Sequence, residues 1–554
     1  MSGELPSATS SGWSRIATGP SNTVQLGGDQ SSSLDQDDQV ANRAITQTHA
    51  LVANMSTNVI SQMNLVSSHF LDRCLSAYFN RFLAALPITH RATFNIRTTN
   101  APLLLSMIAV GSLCLQSDDA RRLGDSIWRL ANTAVSSSWQ ELIKIKGDFD
   151  SCQGLALVTT VLLVQIYATA STDPELKNSA VVAQPLGFRC ARLAGMFDTQ
   201  TLTQAEIVSL EFKALEGQAL TDRWYKWSAR ETQQRTLLGL YLMDAQVCSL
   251  FDAAPSVRHT LSQLSPVCTD AAFYAPTAEA WQKVMVDEDG LYGSPYRGPL
   301  STLYSCNPSC GPLRRSITSG FTVAALLDGI YCLVVEQRDL PLSLRNEEMS
   351  SLIDRLDRFR NDFLLSDKPE IDFAALAMKW HTTSISLLEL WLPSGIALKE
   401  NAELINKWFS TPQGRRAVLH ANAIRQLVDK MPFSAISTPR IQTPVCTYHA
   451  GYIMMLWLKS HMCFKGAGNW DLDQEVDWQR LGSIGQVISQ RDLVTTVEGD
   501  GPETFVTEGG TTSLRGRKFD ATGISALISA LTTFGGTWPA ARTMTNQLIA
   551  MSYA

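Results

Sequence analysis

The stretch that decides the fold covers residues 69–124. It reads HFLDRCLSAYFNRFLAALPITHRATF, crosses a short polar link, and continues APLLLSMIAVGSLCLQSDDARRLG. Pro87 ends the first apolar run, and Pro102 lies in the first turn of the second, where its missing N–H costs little. The pattern predicts two buried helices joined by a turn at residues 87–94. This is a scaffold pattern, and it contains no obvious reaction chemistry.

Helical periodicity continues on both sides of this pair, and strand-like alternation does not recur over consecutive runs. The class predicted is therefore all-α, as a large irregular multi-helix array without a fixed repeat. In the helix at 221–250, Glu231 and Arg235 lie four residues apart and can pair. The further helices predicted are 118–145, 151–170, 179–196, 221–250, 321–336, 347–363, 373–392, 401–409, 414–430, 443–463, 522–534 and 539–551.

Composition divides the chain into four parts. Residues 1–40 are rich in Ser, Gly and Gln with few large apolar side chains, so we expect a disordered tail. A first helical lobe is predicted for 41–284 and a second for 319–554. Residues 285–318 are dense in Gly, Pro and Ser and are expected to form a long loop or linker. Residues 253–281 and 492–518 are also predicted to be irregular.

Charge and cysteine content exclude several classes of protein. A net charge of −6 and a pI near 5.8 disfavour a chain that coats nucleic acid. The 11 cysteines lie mostly singly in apolar runs and indicate buried thiols of an intracellular protein. No secretory signal is recognised, and the most apolar window, 155–170, is too short to cross a bilayer. We expect no membrane association.

No motif for catalysis, cofactor binding or metal binding is present. The sequence lacks a zinc cluster, a paired Cys/His finger, an H-E-x-x-H helix, a nucleophile elbow, a phosphate loop and a dinucleotide fingerprint. Cys306 and Cys310 form an isolated C-x3-C pair, for which free thiols are favoured over a metal site. We therefore predict no catalytic, cofactor-binding, metal-binding or DNA-binding residues, no cofactor, and a protein that is not an enzyme.

Two short basic features have a functional and a structural interpretation. His90 and Arg91 could form an anion site in the 87–94 turn, but residues at a helix junction more often satisfy helix-end carbonyls. The run from Arg515 to Lys518, RGRK, could act as a weak nuclear import signal, although short basic runs are common. The structural interpretation is favoured in both cases.

The chain resembles the fungal-specific transcription factor regulatory domain, also called the middle homology region. The likeness spans roughly residues 65–282. It comprises a first block in 78–111, an apolar helix around 163–167, the residues around 191–195, and a Trp-x3-Glu helix followed by a Pro-Ser turn. The residues that carry it are Tyr78, Phe79, Pro87, Ile88, His90, Arg91, Thr93, Phe94, Pro102, Leu103, Leu104, Leu105, Met107, Ala109, Gly111, Leu163, Gln165, Ile166, Tyr167, Ala191, Leu193, Ala194, Gly195, Trp227, Glu231, Arg235, Leu240, Asp244, Phe251, Pro255 and Ser256.

This chain departs from the family pattern at several positions. Gln233 and Gln234 stand where the family has arginines, and Ala253-Ala254 replaces its usual Arg-Pro. Family members normally carry a zinc module upstream, whereas residues 1–64 contain no cysteine. Three interpretations follow: a regulator that acts through a DNA-bound partner, a factor whose finger exons are missing from this sequence, or a divergent domain with another use.

The resemblance implies a nuclear transcription regulator. It is expected to contact a DNA-bound transcription factor or the transcription machinery, to meet DNA only indirectly, and to control a secondary-metabolite gene cluster. A small-molecule effector bound between helices and a homodimer are left open. The alternative is a secondary-metabolism enzyme or ligand-binding protein built on a helical scaffold.

Overall fold

A computed structural model describes most of the chain as helices. The residues described are 67–198, 206, 209–292, 300–304, 319–338, 340, 342–365, 373–392, 402–432, 435–436, 439–460, 468–482, 484 and 501–553. The predicted tail at 1–40 lies outside the described residues, as do Cys306 and Cys310 and most of the predicted linker at 285–318.

The first half of the protein is built from seven long helices. They are α1 (Ser68–Ala77), α2 (Ala101–Leu113), α3 (Asp118–Leu142), α4 (Leu155–Ala170), α5 (Pro174–Leu193), α6 (Gly217–Phe251) and α7 (Ala278–Tyr292). A π-helical turn, Tyr78–Phe82, extends α1, and short helices lie at Leu83–Ala85, Arg91–Thr93, Met196–Asp198, Leu210–Lys213, His259–Leu261, Asp270–Phe273 and Leu300–Tyr304.

The second half continues in the same way and adds a small sheet. Its helices are α8 (Gly320–Glu336), α9 (Leu342–Phe359) with the π-helical turn Arg360–Leu364, α10 (Phe373–Glu389), α11 (Ala402–Phe409), α12 (Pro412–Asp429), α13 (Thr443–Lys459), Trp478–Leu481, α14 (Pro502–Glu508), the 3-10 turn Ala521–Ile524, α15 (Ser525–Phe534) and α16 (Ala540–Tyr553). The strands are β1 (Gly468–Asp471), β2 (Gly510–Leu514) and β3 (Arg517–Lys518).

Side-chain caps fix where several helices begin. The side chains of Ser67, Asn100 and Ser117 accept backbone N–H bonds at the starts of α1, α2 and α3. Asp173 caps α5, and Pro174 occupies its first turn. Each cap satisfies a backbone donor that the helix itself leaves free. These caps place the helix starts where polar residues precede apolar runs.

One large hydrophobic cluster joins the two halves of the chain. Its buried side chains extend along the sequence from Leu71 to Leu548. A smaller cluster surrounds Trp224, Trp227 and Trp281 at the start of α6 and on α7. Helix α6 packs against α4, α5 and α8, so it lies centrally. The division into two lobes stays a prediction.

The all-α class is confirmed, with three local differences. The segment 253–281 contains the helix Asp270–Phe273 and the start of α7, and α7 extends into the segment expected as a linker. Buried Trp281 and Met285 anchor α7, and this packing outweighs the loop-like composition that follows. Part of the 492–518 segment forms α14 and β2, where β2 pairs in parallel with β1 from Gly510 opposite Gly468.

The described helices were also compared with the requirements for crossing a bilayer. Not one helix in that part of the chain is both long and apolar enough to serve as a membrane span.

Gly111 sets the contact between α1 and α2. A Cβ atom at this position would lie 1.9 Å from the backbone oxygen of Cys74, so an alanine would force the two helices apart. Overpacking of this kind costs about 1–3 kcal/mol, and we expect Gly111→Ala to lower the free energy of unfolding by at least that much, measured by urea denaturation.

The matched control for Gly111→Ala is Gly187→Ala on α5. There the added Cβ would meet only the flexible end of Leu240, at 2.6 Å from Cδ2. The clash can be relieved by a rotamer change, and alanine gains up to about 1 kcal/mol of helix propensity over glycine. Equal losses in the two variants would contradict the assignment of Gly111 as a backbone contact.

Candidate functional site

The first buried polar network lies around Arg235 in the middle of α6. Its guanidinium is fully buried and donates to Glu231 Oε1 at 3.0 Å and to Asp270 Oδ1 at 3.2 Å. It also donates to the carbonyl oxygens of Cys268, at 2.6 Å, and Pro87, at 3.4 Å. Arg235 therefore joins α6 to the 87–94 turn and to the chain that follows α6.

Aromatic rings and a second acceptor contact complete this network. The Arg235 guanidinium carbon lies 3.9 Å from the centroid of the Phe273 ring, a cation–π arrangement. Glu231 Oε1 also accepts the backbone N–H of Cys268 at 2.9 Å. The pairing of Glu231 with Arg235 predicted from their spacing is present. Its burial was not predicted, because spacing alone does not show what covers a helix face.

The second network is centred on Asp244, two turns further along α6. Its Oδ1 accepts from Gln184 Nε2 at 2.6 Å, from the backbone N–H of Ser256 at 3.0 Å, and from the Ser256 hydroxyl. Its Oδ2 faces His259 Nε2 at 3.0 Å. Burial alone would raise the pKa of Asp244, but hydrogen bonds from His259 and Ser256 outweigh it and the pKa is lowered. The Pro-Ser turn is held against α6 by this carboxylate.

A cavity of about 120 Å³ lies beside the 87–94 turn. Its wall is formed by this turn, the start of α2, the loop at 145–150, the start of α4 and the middle of α6. The lining combines apolar side chains such as Phe94, Leu103 and Met107 with the hydroxyls of Thr93, Thr159 and other residues. A concave, mostly apolar space with a few polar groups is typical of small-molecule sites.

His90 supplies a polar atom to the wall of this cavity. The side chain is 3% exposed, and its Nδ1 is hydrogen-bonded to Thr93 Oγ1 at 2.9 Å. The other ring nitrogen, Nε2, has no hydrogen-bond partner in the described part of the chain. The ring meets Phe273 edge-on, with centroids 5.2 Å apart. Arg91, in contrast, donates to Asn80 Oδ1 at 2.9 Å.

His90 is expected to make stability depend on pH. Burial and the nearby Arg235 lower its pKa to about 4. In the unfolded chain the histidine pKa is about 6.5, so between about pH 4 and pH 6.5 the unfolded chain binds more protons than the folded one. The free energy of unfolding therefore has its full value above about pH 6.5 and falls as the pH drops through this range. From pH 7 to pH 5 we expect His90 to account for a loss of roughly 2 kcal/mol.

The measurement compares urea denaturation of the wild type and His90→Gln at both pH values. Glutamine keeps a polar partner for Thr93 without a titrating ring, and every other histidine is common to the two proteins. The variant should lose less stability between pH 7 and pH 5. An identical loss would show that His90 does not titrate as proposed.

Two further pairs of buried charged or titratable groups lie in the second half. Lys379 Nζ on α10 lies 3.0 Å from Asp328 Oδ1 on α8 and 3.8 Å from the centroid of the Tyr331 ring. His381 Nδ1 and His420 Nδ1 are 2.8 Å apart, and the pKa of His381 is lowered by burial and by His420. No sequence pattern indicated these pairs, because their members lie 39 or more residues apart and follow no motif.

The basic run Arg515 to Lys518 lies in the hairpin between β2 and β3. Arg515 has a positive φ of 52° and Gly516 one of 73°, which the tight turn requires. The side chains of Arg517 and Lys518 are exposed. The segment is exposed, and a nuclear import signal remains the less favoured of its two interpretations.

Comparison with known proteins identifies the domain that contains both networks. Residues 75–307 match the model described as "Fungal specific transcription factor domain". The chain is 22% identical over 253 residues to "Zinc finger protein klf1" of Schizosaccharomyces pombe, which covers 46% of this chain and 29% of that protein. No solved structure matches the chain.

Two further relatives match a similar share of the chain. The chain is 25% identical over 228 residues to "Zinc finger protein zas1" of Schizosaccharomyces pombe, covering 41% of this chain and 24% of that protein. It is 22% identical over 220 residues to the "Nicotinate catabolism cluster-specific transcription factor" of Emericella nidulans, covering 40% and 24%. The match thus spans about a quarter of each relative. The predicted resemblance is confirmed over residues 75–307, which match the model of the Fungal specific transcription factor domain.

Proposed function

We infer that this protein regulates transcription in the nucleus and is not an enzyme. The observation that carries this inference is the match of residues 75–307 to the Fungal specific transcription factor domain. Support comes from the relatives, whose names are those of zinc finger proteins and a transcription factor. The residues that carried the resemblance, Arg235 and Asp244 among them, form buried networks that hold the domain together.

The finer proposal is control of a secondary-metabolite gene cluster. This role is the one that the resemblance to fungal-specific transcription factors implies. One relative is itself named for a gene cluster, that of nicotinate catabolism. With a net charge of −6 the chain is suited to protein contact more than to binding phosphates. It acts through a DNA-bound transcription factor or the transcription machinery.

The test is deletion of the gene followed by sequencing of total RNA. We expect a contiguous set of genes to change expression, and a reintroduced wild-type copy to restore it. A fluorescently tagged copy should be found in the nucleus under the inducing condition. Unchanged RNA in the deletion strain under every condition, or a functional tagged copy that stays outside the nucleus, would contradict the proposal.

We further propose that a small-molecule effector binds the cavity beside the 87–94 turn. Ala229 on α6 lines this cavity, so Ala229→Met should fill part of it. Ala183→Met, at a half-buried position of α5 that does not line the cavity, is the matched control. Mass spectrometry of material retained by protein purified from its own host should find a compound in the wild type and the control that is depleted in Ala229→Met.

A further inference from the structure

Three potential metal ligands converge where α6 meets α8. A carboxylate oxygen of Asp244, a ring nitrogen of His259 and the Sγ of Cys332 all lie within 4.8 Å of one another. Asp244 is on α6, His259 follows the Pro-Ser turn, and Cys332 is on α8. All three side chains are almost completely buried, at 1% exposure each. Residues far apart in the chain are therefore brought to one point inside the protein.

Cys248 lies beside this group of three. It lies four residues after Asp244, on the same face of α6, and its thiol is hydrogen-bonded to that of Cys332. Gln184 Nε2 lies 3.9 Å from Cys248 Sγ. The three convergent ligands are a thiol, an imidazole and a carboxylate. The neighbouring thiol of Cys248 would complete the four ligands that a tetrahedral zinc site uses.

We propose that Asp244, Cys248, His259 and Cys332 form a binding site for one thiophilic divalent cation of the zinc class. Sulfur and imidazole ligands select zinc and similar ions over magnesium and calcium. Tetrahedral zinc with bonds of about 2.0–2.3 Å places neighbouring ligand atoms roughly 3.3–3.7 Å apart. The 3.0 Å separation of Asp244 Oδ2 and His259 Nε2 needs to open by only a few tenths of an ångström.

The surroundings already hold the carboxylate as a metal site requires. Gln184 and Ser256 donate to Oδ1 of Asp244, which leaves Oδ2 directed toward His259. Such outer contacts orient a ligand and contribute to affinity. The second ring nitrogen of His259, Nδ1, is buried and has no hydrogen-bond partner in the described part of the chain. Nδ1 is therefore free to carry the ring proton when Nε2 coordinates the cation.

Proton balance is simple at this site. Asp244 contributes a carboxylate, and His259 coordinates through Nε2 as a neutral imidazole, so its ring proton moves to Nδ1. The Cys332 thiol coordinates as a thiolate. Binding replaces the S–H bond by a metal–sulfur bond, and the proton leaves to solvent. Each further thiol that coordinates as thiolate releases one more proton. No oxidant or reductant is needed.

The consequence is a link between the two halves of the protein. Asp244, Cys248 and His259 belong to the region that matches the transcription factor domain, whereas Cys332 lies beyond it. A cation at this point would bind α6 to α8 and stabilise the folded chain against the unfolded one. This site is independent of DNA recognition, and it holds whether or not the proposed regulatory function is correct.

The test uses the full chain, purified under reducing conditions, stripped with a chelator and titrated with Co²⁺. Wild-type protein should bind one equivalent and show thiolate-to-cobalt charge-transfer absorption with the visible bands of a tetrahedral site. Cys332→Ser and His259→Gln should each weaken binding at least about tenfold, as loss of a ligand does. The control Cys74→Ser removes a buried thiol of α1, and this variant should bind Co²⁺ as the wild type does.

Other outcomes decide against the proposal. Absence of the charge-transfer band in folded wild type would overturn it, as would unchanged Co²⁺ affinity in both Cys332→Ser and His259→Gln. Circular dichroism establishes that each variant is folded, and if the serine variant is not, the histidine variant alone decides. Bound zinc in protein isolated without chelator, at one atom per chain, would further support the site.

Discussion

Arg235→Met is expected to lower the free energy of unfolding by about 3–5 kcal/mol, the usual cost of removing one partner of a buried ion pair. Methionine fills similar space, so the loss comes from polar groups and not from a void. Glu231, 3% exposed, would keep a buried charge without its partner. Asp270 is 47% exposed and can be hydrated instead, so Glu231 accounts for most of the penalty.

The matched control is Arg122→Met on α3. Arg122 pairs with Asp119, but both side chains are about four-fifths exposed, at 80% and 79%. Such a pair contributes at most about 1 kcal/mol. Adding Glu231→Leu to Arg235→Met should recover part of the loss, because the uncompensated charge is removed. Urea denaturation followed by tryptophan fluorescence measures all four proteins, and a loss in Arg235→Met no larger than in Arg122→Met would contradict the argument.

Lys379→Met should be similarly damaging in the second half of the protein. It removes the ammonium that pairs with Asp328, whose side chain is 5% exposed, and leaves that carboxyl in an apolar interior. Burial alone would lower the pKa of Lys379. The negative charge of Asp328 has the larger opposite effect, so the pKa of Lys379 is raised. We expect a loss of about 3–5 kcal/mol from breaking this pair.

The double variant Asp328→Asn with Lys379→Met separates charge from packing. Asparagine has nearly the shape of aspartate without its charge, so the double variant should be more stable than Lys379→Met alone. Lys144→Met, which removes an exposed pair with Glu141, should be close to neutral. A double variant less stable than the single one would show that the buried charge of Asp328 is not the source of the loss.

Local signals were sufficient to predict most of the helices. For α2, Asn100 supplies the cap, Pro102 the first turn and the following apolar run the core. The same reasoning failed where packing outweighs composition. At the end of α7 an acidic, glycine-containing segment remains helical beside buried Trp281. The short parallel pairing of β1 with β2 joins segments about 40 residues apart, and no local pattern specifies such a contact.

The candidate sites show the same limit. Glu231 and Arg235 are four residues apart on one helix, and their pairing could be predicted. Asp244 and Cys332 come from different helices, and no spacing along the chain indicates that they meet. The expectation that the chain binds no metal rested on linear motifs, which detect ligands only when they are close in sequence. A search for linear motifs does not detect residues that helix packing brings together.

The boundary of the matched domain lies within the interior of the protein. Gln246 of α6 donates to the carbonyl of Ile441 at 3.2 Å, Arg440 donates to that of Ala85 at 2.7 Å, and Arg121 donates to that of Gly536 at 3.2 Å. Truncation at residue 307 would remove one partner of each of these hydrogen bonds and would uncover the contact of α6 with α8. Residues 75–307 are therefore not expected to fold independently. A gene fusion that uses this domain should include the second half of the chain as well.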